Sequence, residues 1–166
     1  NDQMNAALSL RQALLSSDNV EFKTKIVADF GDELSEFWLE CSAVKSGDIS
    51  FSVISPESIS GISGKINAAG GGLTFDDKVL AFPLIIEESI SPISAPWILL
   101  NCLRSGYITA CGSSDGGLQL IIDDSLMGKN VQCILWLNDK KLPYYSEIIW
   151  DSSRVLSLNI ESFVIS

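Results

Sequence analysis

The apolar residues near the start of the chain change their period once. Met4, Ala7, Leu8, Leu14 and Leu15 recur at helical spacing, and Ser16, Ser17, Asp18 and Asn19 end the run. This predicts an amphipathic helix over about 3–15. Beyond it the period is two. In "VEFKTKIVADF", Val20, Phe22, Ile26, Ala28 and Phe30 share one side, and Glu21, Lys23, Lys25 and Asp29 take the other. After "GDE" the alternation resumes, with Phe37, Leu39, Cys41 and Ala43 inside and Glu36, Trp38, Glu40 and Ser42 outside. "KSGD" turns the chain into "ISFSVISP", where Ile49, Phe51 and Val53 alternate with polar residues. Three strands on short polar turns make an antiparallel meander with one wet face.

The middle reads as strand, glycine-rich turn, strand, turn and strand through "ISGISGKINAAGGGLTFDDKVLAF". "SPISAPWILLNCLRSG" then reads as a second helix, with Pro96 in its first turn, Ile98, Leu99, Cys102 and Leu103 buried, and Gly106 as its cap. "YITACGSS", "GLQLIIDD" and "VQCILWLND" form a further meander, and "SEIIWDSSRVLSLNIESFVI" a closing hairpin that turns at Asp151–Ser153. Strands outnumber helices and no βαβ alternation occurs, so one α+β domain spanning 1–166 is expected, an antiparallel sheet with two helices.

Composition narrows the function. With 46 % hydrophobic and 19 % charged residues the chain can bury a sizeable core. A net charge of −10 with only 11 Lys and Arg, scattered along the chain, argues against a nucleic-acid surface. No run reaches the roughly 18 apolar residues of a membrane span, and "NDQMNAALSLRQALL" is not a signal peptide. Starting at Asn1 without a Met, the chain is expected to follow a targeting segment already removed.

Histidine is absent, which removes the commonest general base and transition-metal ligand. Carboxylate pairs stand at Asp76–Asp77, Glu87–Glu88 and Asp123–Asp124, in or beside turns where acids serve solubility and turn geometry. Two acids facing one cleft would make a glycan hydrolase of the chain. "AAGGG" lacks the Lys and helix of a phosphate loop, and "DDSLMGKN" lacks the later ligands of a calcium loop. No catalytic residue, metal or cofactor is assigned. Cys41, Cys102, Cys111 and Cys133 show no metal spacing and read as buried free thiols. Cys102 and Cys111 could instead bridge if the chain turns back from helix to strand between them. Trp38 and Trp136 fall opposite the apolar side of their strands, whereas Trp97 starts the second helix and Trp150 ends a strand. Such residues either complete the core or line a cavity between sheet and helices.

The order of elements resembles the LolA/LolB-like superfamily of bacterial lipoproteins and lipoprotein carriers. The likeness rests on the helix at 3–15, the hairpin at 20–44, "ISPESISGI" at 54–62, the helix at 97–105 and "LPYYSEIIWDSSRVLSLNIESF". Within that group the chain looks closest to small exported lipoproteins of Gram-positive anaerobes, one of them a spore-germination lipoprotein. The resemblance implies a strongly curved, incompletely closed antiparallel half-barrel with both helices plugging its concave face. It also implies an exported protein held at the membrane by a lipidated cysteine upstream of Asn1. Phe22, Ile26, Phe37, Leu39, Phe51, Leu135, Leu137, Leu156, Leu158 and Ile160 would line the concave face, with Trp97 beside them. The chain departs from the classical carrier in having no arginine on an inner strand face: Arg11 falls in the first helix, Arg104 at a helix end and Arg154 in a turn. Two non-enzymatic readings remain. An acyl chain or lipidated protein occupies the concave face, or that face is a filled core and the chain docks an envelope protein through a strand edge or Trp38.

Overall fold

The computed structural model describes residues 2–29, 34–75, 78–82, 85–86, 89–114 and 117–166. Helix α1 (Asp2–Ser16) leads into a hairpin of β1 (Asn19–Asp29) and β2 (Leu34–Val44), followed by β3 (Ile49–Ser55), β4 (Ser63–Asn67), β5 (Gly70–Phe75) and β6 (Lys78–Phe82). A small ribbon of β7 (Ile85–Ile86) and β8 (Ser89–Ile90) precedes α2 (Ala95–Ser105). The chain ends with β9 (Tyr107–Ser114), β10 (Gly117–Leu126), β11 (Lys129–Leu137), β12 (Pro143–Trp150) and β13 (Ser153–Ile165). Phe30 and the acids at 76–77 and 87–88 lie outside the described residues.

Eleven strands form one antiparallel sheet in the order β6-β5-β4-β3-β2-β1-β13-β12-β11-β10-β9. The two meanders are joined through the first and last strands, which pair at the centre. Ile26 faces Leu158 and Ala28 faces Leu156. At the chain's end Asp18 and Asn19 donate to the Ser166 carbonyl at 2.9 and 3.0 Å. Strands β6 and β9 are the edges and do not meet, so the sheet is an open half-barrel. Register shifts in five strand pairs help it curl, since each bulge adds local twist. The bulge in β13 also resets the alternation. Ser162 adopts φ 55°, so Phe163 turns inward after Ile160 and lies 5.4 Å from the Phe22 ring.

The predicted alternation holds along β1, β2 and β3, and Thr24 joins the inner row by donating to the Asn159 carbonyl at 2.9 Å. Trp38 and Trp136 lie on the outer face as expected, Trp136 against Tyr145 at 5.2 Å. Helix α1 needs a correction. Its buried side is Ala7, Leu10 and Leu14, whereas Leu8 and Leu15 face solvent. Gly106 caps α2 as expected, but in an extended conformation (φ −70°), so left-handed geometry is not why it is glycine. A Cβ there would overlap the Ile122 methyl and sit 2.8 Å from the Cys102 carbonyl oxygen. The glycine lets the end of α2 lie directly on β10.

Candidate functional site

The concave face collects the predicted lining residues into one cluster. Phe22 and Ile26 of β1, Leu39 of β2, Phe51 of β3, Leu135 and Leu137 of β11, and Leu156 and Leu158 of β13 are all buried there. Phe37 and Trp97 pack against the same cluster while half-buried. What faces these residues is protein. Ala7, Leu10 and Leu14 of α1 and Ile98, Leu99, Leu100 and Leu103 of α2 belong to the same core. Between α2 and the wall, among the described residues, there is a seam of about 10 Å³ bordered by Trp97, Ile98, Asn101, Asp124 and Val131. That volume holds at most one water molecule.

Polar groups tie the plug down. Arg11, partly buried on α1, donates to the carbonyls of Leu103 at 2.7 Å, Cys102 at 3.2 Å and Gly106 at 2.6 Å. These carbonyls close the last turn of α2, where the helix dipole is negative and a cation is favoured. Burial lowers the Arg11 pKa from its ordinary value, yet a guanidinium keeps its charge at neutral pH. Asn101 adds a bond to Asp124 at 3.1 Å, and Gln132 donates to Asp123 at 3.1 Å. Both acids of that pair thus accept bonds from neighbouring side chains. Sequence reasoning missed Arg11 because a charge on an amphipathic helix normally faces water. The signal was its spacing: Arg11 lies four residues from Ala7 and three from Leu14, on the buried stripe itself.

All four cysteines are free thiols. Cys41, Cys102 and Cys133 are buried, and Cys111 is half-buried. Desolvation pushes the Cys41 thiol well above its ordinary value. Interaction with Cys133 on β11 and burial together raise the Cys102 thiol on α2. The same interaction lowers Cys133. Cys133 also contacts the Ser146 hydroxyl at 3.2 Å.

A larger cavity, about 940 Å³, is on the other side of the sheet. Two rows of outward-facing positions floor it across five strands. One runs Glu21, Ser42, Ser50, Lys65 and Gly72, the other Lys23, Glu40, Ser52, Ser63 and Thr74. Ser162 and Val164 close one end. A strongly twisted sheet is saddle-shaped, so its outer face is concave along one diagonal. On the inner side the strands approach closely: a Cβ on Gly64 would collide with the Gly72 carbonyl and stand 2.9 Å from Phe51 Cζ. Alternation told us this face was polar but not that it was hollow.

Several solved structures share this architecture. A domain from Vibrio parahaemolyticus assigned to outer membrane lipoprotein sorting aligns at TM-score 0.52 and 10 % identity, over 99 % of this chain and 92 % of that one. A DUF1329 family protein from Desulfovibrio piger gives 0.54 at 8 % identity, over 99 % and 92 %. The fold is LolA-like. A LolA superfamily protein from Nitrosomonas europaea aligns at 0.49 and 10 % identity, over 99 % and 93 %. At these identities the likeness is one of fold. No family model matches the sequence, and no curated protein matches it. In this LolA-like chain no group of three His, Cys, Asp or Glu suited to a metal occurs among the described residues. No described helix is long and apolar enough to cross a membrane.

Proposed function

We propose that this chain is a non-enzymatic, exported lipoprotein of the cell envelope, anchored outside the membrane, that acts as a protein-docking module with a filled core. The observation that carries this reading is the contrast between the two faces. Among the described residues, α2 meets the wall with a seam of about 10 Å³, while the outer face holds a groove of about 940 Å³. Hydroxyls from Ser42, Ser50, Ser52, Ser63 and Thr74 and charges of both signs stand beside the apolar Phe22, Cys41, Phe51 and Val164, a mixed lining that suits an amphipathic polypeptide segment. Among the described residues no ion pair forms inside the groove, so Lys23, Glu40 and Lys65 are available to a partner.

The LolA-like fold supports a second reading, in which an acyl chain or lipidated protein displaces α2 and lies against Phe22, Leu39, Leu135 and Leu158. The magnitudes give it little net gain. Burying a long acyl chain yields about 0.8 kcal/mol per methylene, roughly 12 kcal/mol in all. Exposing Ile98, Leu99, Leu100 and Leu103 costs about 1.5–3 kcal/mol each, so the exchange is near balance before the bonds of Arg11 are counted.

Pull-down from the native cell envelope tests the docking reading. Ser52→Arg fills the groove and Lys65→Glu reverses a floor charge, and both positions are exposed. We expect wild type to retain an envelope protein and both variants to lose most of it while keeping the wild-type unfolding curve. Equal capture by all three proteins would place docking elsewhere.

A further inference from the structure

The outer groove has a polarity. Its first row runs Glu21 on β1, Ser42 on β2, Ser50 on β3 and Lys65 on β4, each the cross-strand partner of the next. A carboxylate therefore stands at one end of this run and an ammonium group at the other, with two hydroxyls between. Three strand spacings separate the charges by about 14 Å. In the second row Lys23 stands directly opposite Glu40, and Ser52, Ser63 and Thr74 follow. The Lys23 and Glu40 charges offset each other, while Glu161 of β13 faces Lys23 from the other side. The β1 end is thus net negative. Ser42 donates to Asn19 Oδ1 at 2.9 Å, and Asn19 Nδ2 donates to the Glu21 carboxylate at 3.1 Å. This relay holds one oxygen of Glu21 and leaves the other open. The Lys65 ammonium and the hydroxyls of Ser50, Ser52, Ser63 and Thr74 form no hydrogen bond or ion pair with any described residue.

We propose, resting on the docking reading above, that the groove takes an extended polypeptide segment lying across the strands. A Lys or Arg of that segment sits over Glu21, and an Asp or Glu sits over Lys65. An extended chain rises about 3.3 Å per residue, so the two charges stand about four residues apart in the partner. The width of the groove selects this conformation. Its rows are two residues apart along each strand, about 7 Å, which admits one extended chain, whereas a helix with its side chains is about 10–12 Å across. Between the charges, hydroxyls that both donate and accept match the peptide groups of the segment. Beyond Glu21, its cross-strand partner Val164 is exposed and gives the stem of the partner's Lys or Arg an apolar shelf. A segment with the wrong sign at either end meets a like charge there, so the polarity excludes segments as well as holding one.

Amide NMR spectra of the isotope-labelled chain, titrated with synthetic peptides, test this. The peptides share a serine–valine background and carry one Lys and one Glu, two Lys, or two Glu at the stated spacing. For the wild type we expect saturable shifts at Ser42, Ser50, Ser52 and Ser63 with the Lys/Glu peptide, and several-fold weaker binding of the other two. Charge reversal should move the preference. Glu21→Lys makes both ends basic and should select the two-Glu peptide, whereas Lys65→Glu makes both acidic and should select the two-Lys peptide. The double variant regains one charge of each sign and should return to the Lys/Glu peptide. Both positions are exposed, and the same spectra report whether each variant is folded. No saturable shift, equal binding of all three peptides, or a preference unmoved by the reversals would overturn the proposal, even if Ser52→Arg abolishes capture of an envelope protein. Failure of the docking reading shows separately, as capture that Ser52→Arg leaves intact.

Discussion

Truncating Leu99 to alanine lowers the unfolding free energy by about 3–5 kcal/mol, the upper part of the range for a large-to-small core change. Leu99 is fully buried on α2, between α1 and the sheet, where it cannot turn to solvent. The lost transfer energy is therefore joined by the energy of a cavity that surrounding strands are too rigid to close. Trp97 provides the contrast. It is larger but half-buried at the mouth of the seam, so Trp97→Ala should cost clearly less despite removing more atoms. Urea unfolding of the two variants decides it. If Leu99→Ala costs under about 1 kcal/mol, α2 is loosely held and the concave face is not a close-packed core.

Replacing Arg11 with alanine should cost about 2–4 kcal/mol, because hydrogen bonds to a charged group contribute about 1.5–3 kcal/mol each and the three here are not additive. Its donors reach three carbonyls at the end of α2 from a single planar fork. Lysine offers a single point charge on a flexible stem, so Arg11→Lys should recover less than half of the loss. Arg11→Met keeps the apolar stem and removes the donors. If Arg11→Met proves as stable as wild type, the stem's packing matters and the tie does not. If it resembles Arg11→Ala, the bonds hold the two helices together.

How much of this was readable beforehand follows from which signals are local. Strand alternation is local, so the inner rows from Val20 to Ala28 and from Leu156 to Ile160 came out correctly, as did the outward Trp38 and Trp136. Helix α1 did not. Its apolar residues outnumber the places available against α2 and β9, and only the packed fold decides that Leu10 is inside and Leu8 outside. The LolA-like resemblance supplied the curvature and the plug, which periodicity cannot. Neither source could find the groove on the outer face. Its hollow follows from twist accumulated over five strands, a property of the assembled sheet. The same limit applies to the thiols. The spacing of Cys102 from Cys111 allows a bridge in the sequence, whereas both are free thiols in the fold.

These features support one picture, a curved wall closed from within by two helices and open to partners on its outside. Titrating the purified protein with a fluorescent fatty acid tests it most directly. The account predicts a signal that rises without saturating and does not fall when unlabelled fatty acid is added. Saturable, competable binding near one ligand per chain, weakened by a bulky substitution at Leu135 or Leu158, would contradict it.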